Sequence, residues 1–249
     1  MEINLKNKKA VIFDMDGVLT ETATYHAAAW KHIFDEYFEK RGLQRGSKPQ
    51  PFNSNVDYHR YVDGKPRYDG VDSFLKSRLI SLPMGNESDT PDKDTVCGLG
   101  NGKNEYFLSL LKREGVKAYP SSIKFVHKIK SMNILVAVIS SSRNSAHVLR
   151  SANIQDVFDV KVDGIDAAKL GLRGKPDPAI FLEAAKRLNV DPERAVVVED
   201  ALAGVEAGRR GKFGLVIGVD RWGHARELKE KGADIVVKDL SELGTVDKI

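Results

Sequence analysis

Two aspartates, separated by one residue and followed by a glycine, stand at Asp14-Met15-Asp16-Gly17. Neighbouring carboxylates repel each other, and a divalent cation offsets that repulsion because Mg²⁺ prefers hard oxygen ligands. An EF-hand is excluded, since glycine occupies the fourth position of this motif rather than the sixth. The motif therefore indicates either a metal site or a polar turn in which Asp16 and Gly17 end a strand.

A run of three serines, Ser140 to Ser142, followed by Arg143 and Asn144, forms a second candidate site. Hydroxyl groups, free backbone N–H groups at a helix start and a guanidinium together favour an anion. A serine N-cap with solvated neighbours is the alternative interpretation of the same residues.

Lys175 stands before Pro176, which restricts the lysine to extended geometry. An ammonium at such a position can offset the charge of a phosphate, although an ordinary surface lysine also fits.

Glu199 and Asp200 come directly after an apolar run. Two carboxylates at the end of a buried strand are costly without a cation or hydrogen-bond partner. They are predicted metal ligands, with capping of the next helix as the alternative for one of them.

Short runs rich in valine and isoleucine predict strands that are buried on both faces of a parallel sheet. These strands are expected at 10–13, 134–139, 195–198, 215–217 and 235–237. Helical patterns lie at 122–132, 145–152, 178–188, 203–210 and 224–231. The alternation predicts an α/β fold with a Rossmann-like parallel sheet and right-handed crossovers. Ligands bind such sheets at the carboxyl ends of the strands, and each of the four motifs is expected at such an end.

A long segment interrupts this alternation. Val18 and Leu135 are separated by about 120 residues, although a crossover between parallel strands needs only about a dozen or more. The segment has helical patterns at 22–41, 71–79 and 104–113, and the composition of an exposed loop at 83–94. We therefore expect a core domain at 1–21 and 116–249, with a mostly helical insert at 22–115.

Composition is that of a globular protein: of 249 residues, 41% are hydrophobic, 30% charged and 8% aromatic. A net charge of +4, spread along the chain, gives little support for nucleic-acid binding. Cys97 is the single cysteine, so an intrachain disulfide is excluded. The first ten residues lack the apolar stretch of a signal peptide, and every apolar run is far shorter than the ~20 residues that cross a bilayer. A cytoplasmic protein without a membrane span is expected.

The four motifs, in this order, resemble those of the haloacid dehalogenase (HAD) superfamily, whose members are mostly Mg²⁺-dependent phosphatases and phosphomutases. The segment 13–22, followed by His26 and Trp30, and the segment 198–208 are similar to the β-phosphoglucomutase subfamily. The resemblance covers nearly the whole chain. It implies a HAD α/β core with an inserted helical cap, and the cap is expected to choose the substrate.

The resemblance implies roles for the four motifs. Asp14 would be the nucleophile that forms an aspartyl-phosphate, and Asp16 would be the general acid and base. Ser140 and Lys175 would hold the transferring phosphoryl group. The complete predicted phosphate-binding set is Ser140, Ser141, Arg143, Asn144 and Lys175. The expected cofactor is Mg²⁺, bound by Asp14, the Asp16 backbone carbonyl, Asp200 and, directly or through water, Glu199.

Substrate-binding residues are expected in the cap: His26, Trp30, Lys65, Arg67 and Lys103. His26 and Trp30, four residues apart, can share a helix face and offer a hydrogen bond and a flat surface to a sugar. Lys65 and Arg67 resemble the cap loop that clamps a distal phosphate in the mutases. Core packing is the alternative for Trp30, and solvation is the alternative for the basic groups.

The resemblance implies a phosphotransferase that acts on sugar phosphates, with a β-phosphoglucomutase favoured. The alternative is a sugar phosphatase, including a trehalose 6-phosphate phosphatase, because the cap is longer than in compact mutases. A third hypothesis is a noncatalytic nucleotide-binding module, based on the glycine-rich segment 98–103 before a predicted helix, although that segment fails both phosphate-loop patterns. The expected partner is a small sugar phosphate, without nucleic acid or membrane, and the enzyme is expected to be a monomer.

Overall fold

The computed structural model describes residues 2–45 and 50–246, which group into two compact units. The first unit comprises the described residues of Met1–Glu21, Gly64–Pro66 and Val116–Ile249, and the second those of Thr22–Asp63 and Arg67–Gly115. The short segment Gly64–Pro66 thus lies inside the predicted insert but groups with the first unit.

Eight strands and nine α-helices lie in the described part of the chain. The strands are β1 (Glu2–Asn4), β2 (Ala10–Asp14), β3 (Leu135–Ile139), β4 (Val160–Val162), β5 (Ala195–Glu199), β6 (Leu215–Val219), β7 (Ile235–Val237) and β8 (Gly244–Val246). The helices are α1 (Ala23–Arg45), α2 (Arg67–Ser77), α3 (Val96–Glu114), α4 (Pro120–Ser131), α5 (Ser145–Ser151), α6 (Gly164–Leu170), α7 (Ala179–Arg187), α8 (Leu202–Arg210) and α9 (Ala225–Glu230).

Six parallel strands form the main sheet of the first unit, in the order β4-β3-β2-β5-β6-β7. The predicted α/β parallel sheet is confirmed, and all five predicted strands lie within two residues of their expected bounds. Strands β3 and β5 flank β2, and Asp14 pairs in register with Ile139. Three of the predicted motifs therefore begin at the carboxyl ends of adjacent strands.

Burial explains why these segments form central strands. All five residues of β2 and of β5 are buried, and valine and isoleucine pack well against neighbours on a pleated surface. Helices cover the sheet through residues such as Phe181 and Val205, which join the strands in one apolar cluster. Burying this apolar surface gives the first unit its core.

The remaining elements of the first unit were not predicted because they carry no strong apolar pattern. The strands β1, β4 and β8 have only three residues each. Helix α6 has no buried residue and therefore no apolar face to detect. Its start is instead fixed by Asp163, whose side chain accepts hydrogen bonds from the N–H groups of Ile165 and Asp166.

The second unit is helical and has an aromatic core. One apolar face of α1 is buried, and Trp30 and Phe34 on it stack with ring centroids 5.3 Å apart. Phe52 and Phe74 pack against the same face. A short π-helical segment, Tyr58–Val62, precedes α2 and adds Tyr58 to this core.

The glycine-rich segment 98–103 lies inside α3, so its predicted position before a helix is wrong. Helix α3 begins eight residues earlier than expected, where the Thr95 side chain accepts a hydrogen bond from the Gly98 N–H. A Cβ at Gly98 would lie 2.4 Å from the Lys93 carbonyl, and one at Gly100 would lie 2.8 Å from the Tyr68 ring. These glycines therefore allow close packing, which removes the main support for a nucleotide-binding loop.

The segment 83–94 has no helix or strand and is mostly exposed, as predicted for a loop. Asp89 is its buried centre and accepts hydrogen bonds from the Asn86 N–H, the Lys93 ammonium and the Thr95 hydroxyl. These three hydrogen bonds lower the pKa of Asp89 to about 2, and the bond from the Asn86 N–H has the largest effect. The loop is thus organised around one carboxylate.

No helix within residues 2–45 and 50–246 combines the length and apolarity needed to cross a membrane.

Candidate active site

The two aspartates of the first motif lie on a tight loop at the end of β2. The Asp14 carboxylate accepts a hydrogen bond of 3.0 Å from the Asp16 N–H. The Gly17 N–H donates to the Thr20 carbonyl at 2.8 Å, and the Thr20 hydroxyl donates to the Met15 carbonyl at 3.1 Å. The loop therefore holds the Asp14 carboxylate through its own backbone and fixes the turn that carries Asp16.

Lys175 lies between two of the acidic residues, with its side chain fully buried. Its ammonium donates to the Asp14 carboxylate at 2.6 Å and also to the Glu199 carboxylate. Burial alone lowers the pKa of Lys175, but the two carboxylates outweigh burial and hold that pKa above its ordinary value. Lys175 is therefore a charged group at neutral pH. The sequence predicted that Lys175 follows a strand, but it lies between α6 and α7 instead.

Three buried carboxylates form a potential metal centre. Oxygen atoms of Asp14, Glu199 and Asp200 lie within 4.8 Å of one another. Burial raises the pKa of Asp14 well above its ordinary value, and the Glu199 and Asp16 carboxylates add to this effect while Lys175 opposes it. One ammonium balances only one of three carboxylate charges, and all donors are hard oxygens, so the set fits a divalent cation. The Asp16 side chain is not part of this set.

Close packing at two glycines positions the carboxylates of Glu199 and Asp200. A Cβ at Gly17 would lie 1.8 Å from a carboxylate oxygen of Asp200, and one at Gly204 would lie 1.7 Å from a carboxylate oxygen of Glu199. Since real Cβ atoms do not approach oxygen so closely, each carboxylate occupies the space that a larger residue would fill.

The serine run is at the end of β3, next to the aspartate loop. The Ser140 hydroxyl donates to the Asp16 carboxylate at 3.1 Å and accepts from the Ser142 N–H at 3.0 Å. Helix α5 begins only at Ser145, with Asn144 at its N-cap, so Ser140 is not an N-cap residue. Arg143 is exposed and Asn144 half-buried. Ser141 bonds elsewhere: its hydroxyl donates to the Gly64 carbonyl at 2.7 Å.

The predicted substrate residues of the second unit include a cluster in which Lys103 and Trp30 are buried and His26 is half-buried. The Lys103 ammonium is 2.5 Å from His26 Nδ1 and about 5 Å from the ring centroids of Trp30 and Phe107. His26 stacks on Phe107 with centroids 4.0 Å apart. Trp30 is only 3% exposed and belongs to the aromatic core. This position fits core packing, the alternative role that its sequence pattern allowed.

The two basic residues of the predicted cap loop lie in different units. Lys65 groups with the first unit. Arg67 begins α2 in the second unit, where its guanidinium donates to the side-chain oxygens of Asn104 at 2.7 Å and Asn101 at 3.3 Å.

Arg221 contacts the aspartate loop and was missed by the sequence analysis. Its side chain donates to the Gly17 carbonyl at 3.0 Å, and its guanidinium carbon lies 3.9 Å from the centroid of the Tyr119 ring. The contact joins residues 204 positions apart. The only available signal was its place just after β6, another strand of the same sheet.

Comparison with known proteins identifies the family. The model of the haloacid dehalogenase-like hydrolases matches residues 8–212. The chain belongs to this family. A protein named β-phosphoglucomutase from Mycobacterium tuberculosis (strain CDC 1551 / Oshkosh) is 44% identical to this HAD enzyme over 238 residues, which are 94% of this chain and 91% of the relative.

Two further HAD proteins cover almost the same length. A phosphorylated carbohydrates phosphatase from Thermotoga maritima is 31% identical over 243 residues, 97% of this chain and 99% of the relative. The crystal structure of β-phosphoglucomutase from Clostridium difficile superposes with a TM-score of 0.71 at 28% identity, covering 95% of this chain and 93% of that one. The HAD fold and an enzyme of the isomerase or hydrolase type, both expected from the motifs, are thereby confirmed.

Replacing Lys175 in this HAD enzyme tests the buried ion pairs. Lys175→Met leaves the Asp14 and Glu199 carboxylates buried without their shared ammonium. Because breaking a buried pair leaves uncompensated charge, we expect a loss of about 3–5 kcal/mol in unfolding free energy at pH 7. Urea unfolding in EDTA measures this loss. The exposed Lys169 provides the control, and Lys169→Met should stay within about 0.5 kcal/mol of the wild type. Equal stability of both variants would contradict the buried-charge interpretation.

Proposed function

We propose that this enzyme is a β-phosphoglucomutase, which converts β-glucose 1-phosphate to glucose 6-phosphate through an aspartyl-phosphate on Asp14. The observation that carries the proposal is the unequal environment of two carboxylates on one loop. Asp14 contacts the Lys175 ammonium, whereas Asp16 contacts the Ser140 hydroxyl. Carboxylates in different environments take different catalytic roles, and the 44% identity to a protein named β-phosphoglucomutase supports the substrate.

Asp14 takes and returns the phosphoryl group. A carboxylate oxygen of Asp14 attacks phosphorus, the bond from phosphorus to the sugar oxygen breaks, and Asp16 gives its proton to that leaving oxygen. In the return step Asp16 removes a proton from the sugar hydroxyl, whose oxygen attacks the phosphorus and releases the Asp14 carboxylate. Glucose 1,6-bisphosphate supplies the first phosphoryl group.

Lys175 and Ser140 orient the transferring group and offset its charge. Phosphoryl transfer depends mainly on positioning and charge stabilisation, so a fixed ammonium beside the nucleophile meets the principal requirement. Arg143 and Asn144 complete the proposed phosphate site, whereas the Ser141 hydroxyl donates to the Gly64 carbonyl instead.

The proposed cofactor is Mg²⁺, held by the carboxylates of Asp14, Glu199 and Asp200 and by the Asp16 backbone carbonyl. When bound, the ion neutralises charge on the phosphoryl oxygens. Support comes from the buried three-carboxylate set.

We assign sugar-phosphate recognition to the predicted residues of the second unit and to Lys65. Lys103 is a buried basic residue next to His26, and Arg67 is held by two asparagine side chains, so both basic groups are positioned before substrate arrives. Because Trp30 is buried and contacts Lys103, we assign it the role of supporting Lys103 by packing. We also propose that the enzyme works in the cytoplasm and is a monomer. The single cysteine, Cys97, is free and buried, which is consistent with a reducing compartment.

A sugar phosphatase is the second candidate, because the T. maritima relative is named a phosphorylated carbohydrates phosphatase. The same residues would form the aspartyl-phosphate, and water would replace the sugar hydroxyl in the return step. Asp16 would then remove a proton from that water. Trehalose 6-phosphate remains one substrate to test.

One assay separates the two candidates. The protein is incubated with Mg²⁺, β-glucose 1-phosphate and a trace of glucose 1,6-bisphosphate, and glucose 6-phosphate and inorganic phosphate are followed together. A mutase gives glucose 6-phosphate with little inorganic phosphate, and excess EDTA stops it. Inorganic phosphate as the main product, from this substrate or from trehalose 6-phosphate in a parallel reaction, would replace the mutase with the phosphatase. α-Glucose 1-phosphate is the control for the anomer.

A further inference from the structure

The segment Gly64–Pro66 belongs to the first unit although the residues on both sides of it belong to the second. It is fixed there by a side chain 77 positions away: the Ser141 hydroxyl donates to the Gly64 carbonyl at 2.7 Å. Ser141 follows Ser140, whose hydroxyl bonds the Asp16 carboxylate. Two consecutive hydroxyl groups thus contact two different parts of the site.

Gly64 packs closely on Ala201 and on Lys175, the lysine that binds Asp14. Its φ of +70° lies in the region that favours glycine, and a Cβ there would be 3.0 Å from the Ala201 Cβ and 3.6 Å from the Lys175 Cδ. The Lys175 side chain is completely buried, and its ammonium binds Asp14. The backbone of Gly64 therefore covers the stem of the lysine that contacts the proposed nucleophile.

A mutase and a phosphatase of this kind differ in whether water reaches the aspartyl-phosphate. Whatever holds a covering segment in place over the lysine that binds Asp14 therefore affects this choice. The hydrogen bond from the Ala201 N–H to the Glu199 carboxylate, by contrast, stays within the motif at the end of β5. The hydrogen bond from the Ser141 hydroxyl to the Gly64 carbonyl instead joins the serine run to Gly64–Pro66.

We propose that Ser141 is a positioning residue that holds Gly64–Pro66 over Lys175 and Ala201, and so directs the phosphoryl group to sugar rather than to water. This inference rests on the proposed mutase function. Ser141 acts here through Gly64, and its hydroxyl does not enter the proton transfers assigned to Asp16. Its loss should therefore change the product ratio more than the rate at which Asp14 is phosphorylated.

The test is the ratio of inorganic phosphate to glucose 6-phosphate formed by Ser141→Ala. Removing one hydrogen bond to a covering segment should raise this ratio about threefold to tenfold. The rate of Asp14 phosphorylation by excess glucose 1,6-bisphosphate should change less than about twofold. Ser141→Thr, which keeps the hydroxyl, should restore a ratio close to that of the wild type.

Ser131→Ala is the matched control. It removes a bond of the same kind, from the Ser131 hydroxyl to the Lys128 carbonyl at 2.8 Å, on an exposed helix end. Its product ratio should equal that of the wild type. If the wild type forms glucose 6-phosphate and Ser141→Ala keeps the same ratio, the inference fails while the mutase function stands. If the wild type forms only inorganic phosphate, both fail.

Discussion

Asp14→Asn is expected to lower the rate of phosphoryl transfer by about 10⁴-fold or more, the scale of losing a covalent nucleophile. An amide has nearly the same shape as a carboxylate but does not attack phosphorus. The substitution also removes one of the two carboxylates that bind the Lys175 ammonium, while the Glu199 contact remains. Because that second contact keeps the lysine paired, the variant should still fold.

Transfer of labelled phosphate from glucose 1,6-bisphosphate to the protein measures this step directly. The wild type should carry label on Asp14, and Asp14→Asn should carry none. Asp156→Asn, at an exposed position in the same unit, should behave as the wild type. A labelled Asp14→Asn protein, or turnover within tenfold of the wild type, would move the nucleophile to another residue.

The matched variant Asp16→Asn separates the two carboxylates. It keeps the nucleophile but removes the group that protonates the leaving oxygen, so turnover of sugar phosphates should fall by about 10²–10⁴-fold. p-Nitrophenyl phosphate has a leaving group that needs no proton, so transfer from this compound to Asp14 should be affected much less. Similar losses with both substrates would mean that Asp16 is not the acid.

The sequence predicted the neighbourhood of these residues because parallel strands end at one edge of a sheet. Asp14, Ser140 and Glu199 stand at the ends of three adjacent strands. The position of Lys175 between Asp14 and Glu199 could not be predicted from the sequence, because these contacts join residues 161 and 24 positions apart. The residue type indicated a phosphate ligand, whereas only the fold shows which carboxylates it balances.

Other features left a misleading pattern or none. The glycines of α3 are typical of a loop, yet they serve close packing, and Tyr68 fills the space beside Gly100. Gly64–Pro66 groups with the first unit, where Gly64 accepts a hydrogen bond from the Ser141 hydroxyl and packs beside Lys175 and Ala201. Local composition does not encode contacts of this kind, because the partner lies far away in the chain.

Gly17→Ala is expected to remove metal binding and to lower activity at least about 100-fold, beyond the range typical of residues that only support a ligand. The new Cβ would lie 1.8 Å from a carboxylate oxygen of Asp200 and 2.5 Å from its Cγ. Asp200 must then leave its place beside Asp14 and Glu199. Titration of the apoprotein with Mg²⁺, followed by calorimetry, measures the loss without relying on activity.

Gly223→Ala separates this displacement from backbone strain. Gly223 has a φ of +83°, against +85° at Gly17, and a Cβ there would meet no described atom within 4 Å. Both alanines should lower the unfolding free energy by about 1–2 kcal/mol, because an L side chain is disfavoured at such angles. Only Gly17→Ala should lose Mg²⁺ affinity. Wild-type affinity in Gly17→Ala would remove Asp200 from the metal site, whereas equal losses in both variants would make the effect one of general destabilisation. The pair of variants therefore tests the identity of a ligand through the space that its carboxylate occupies.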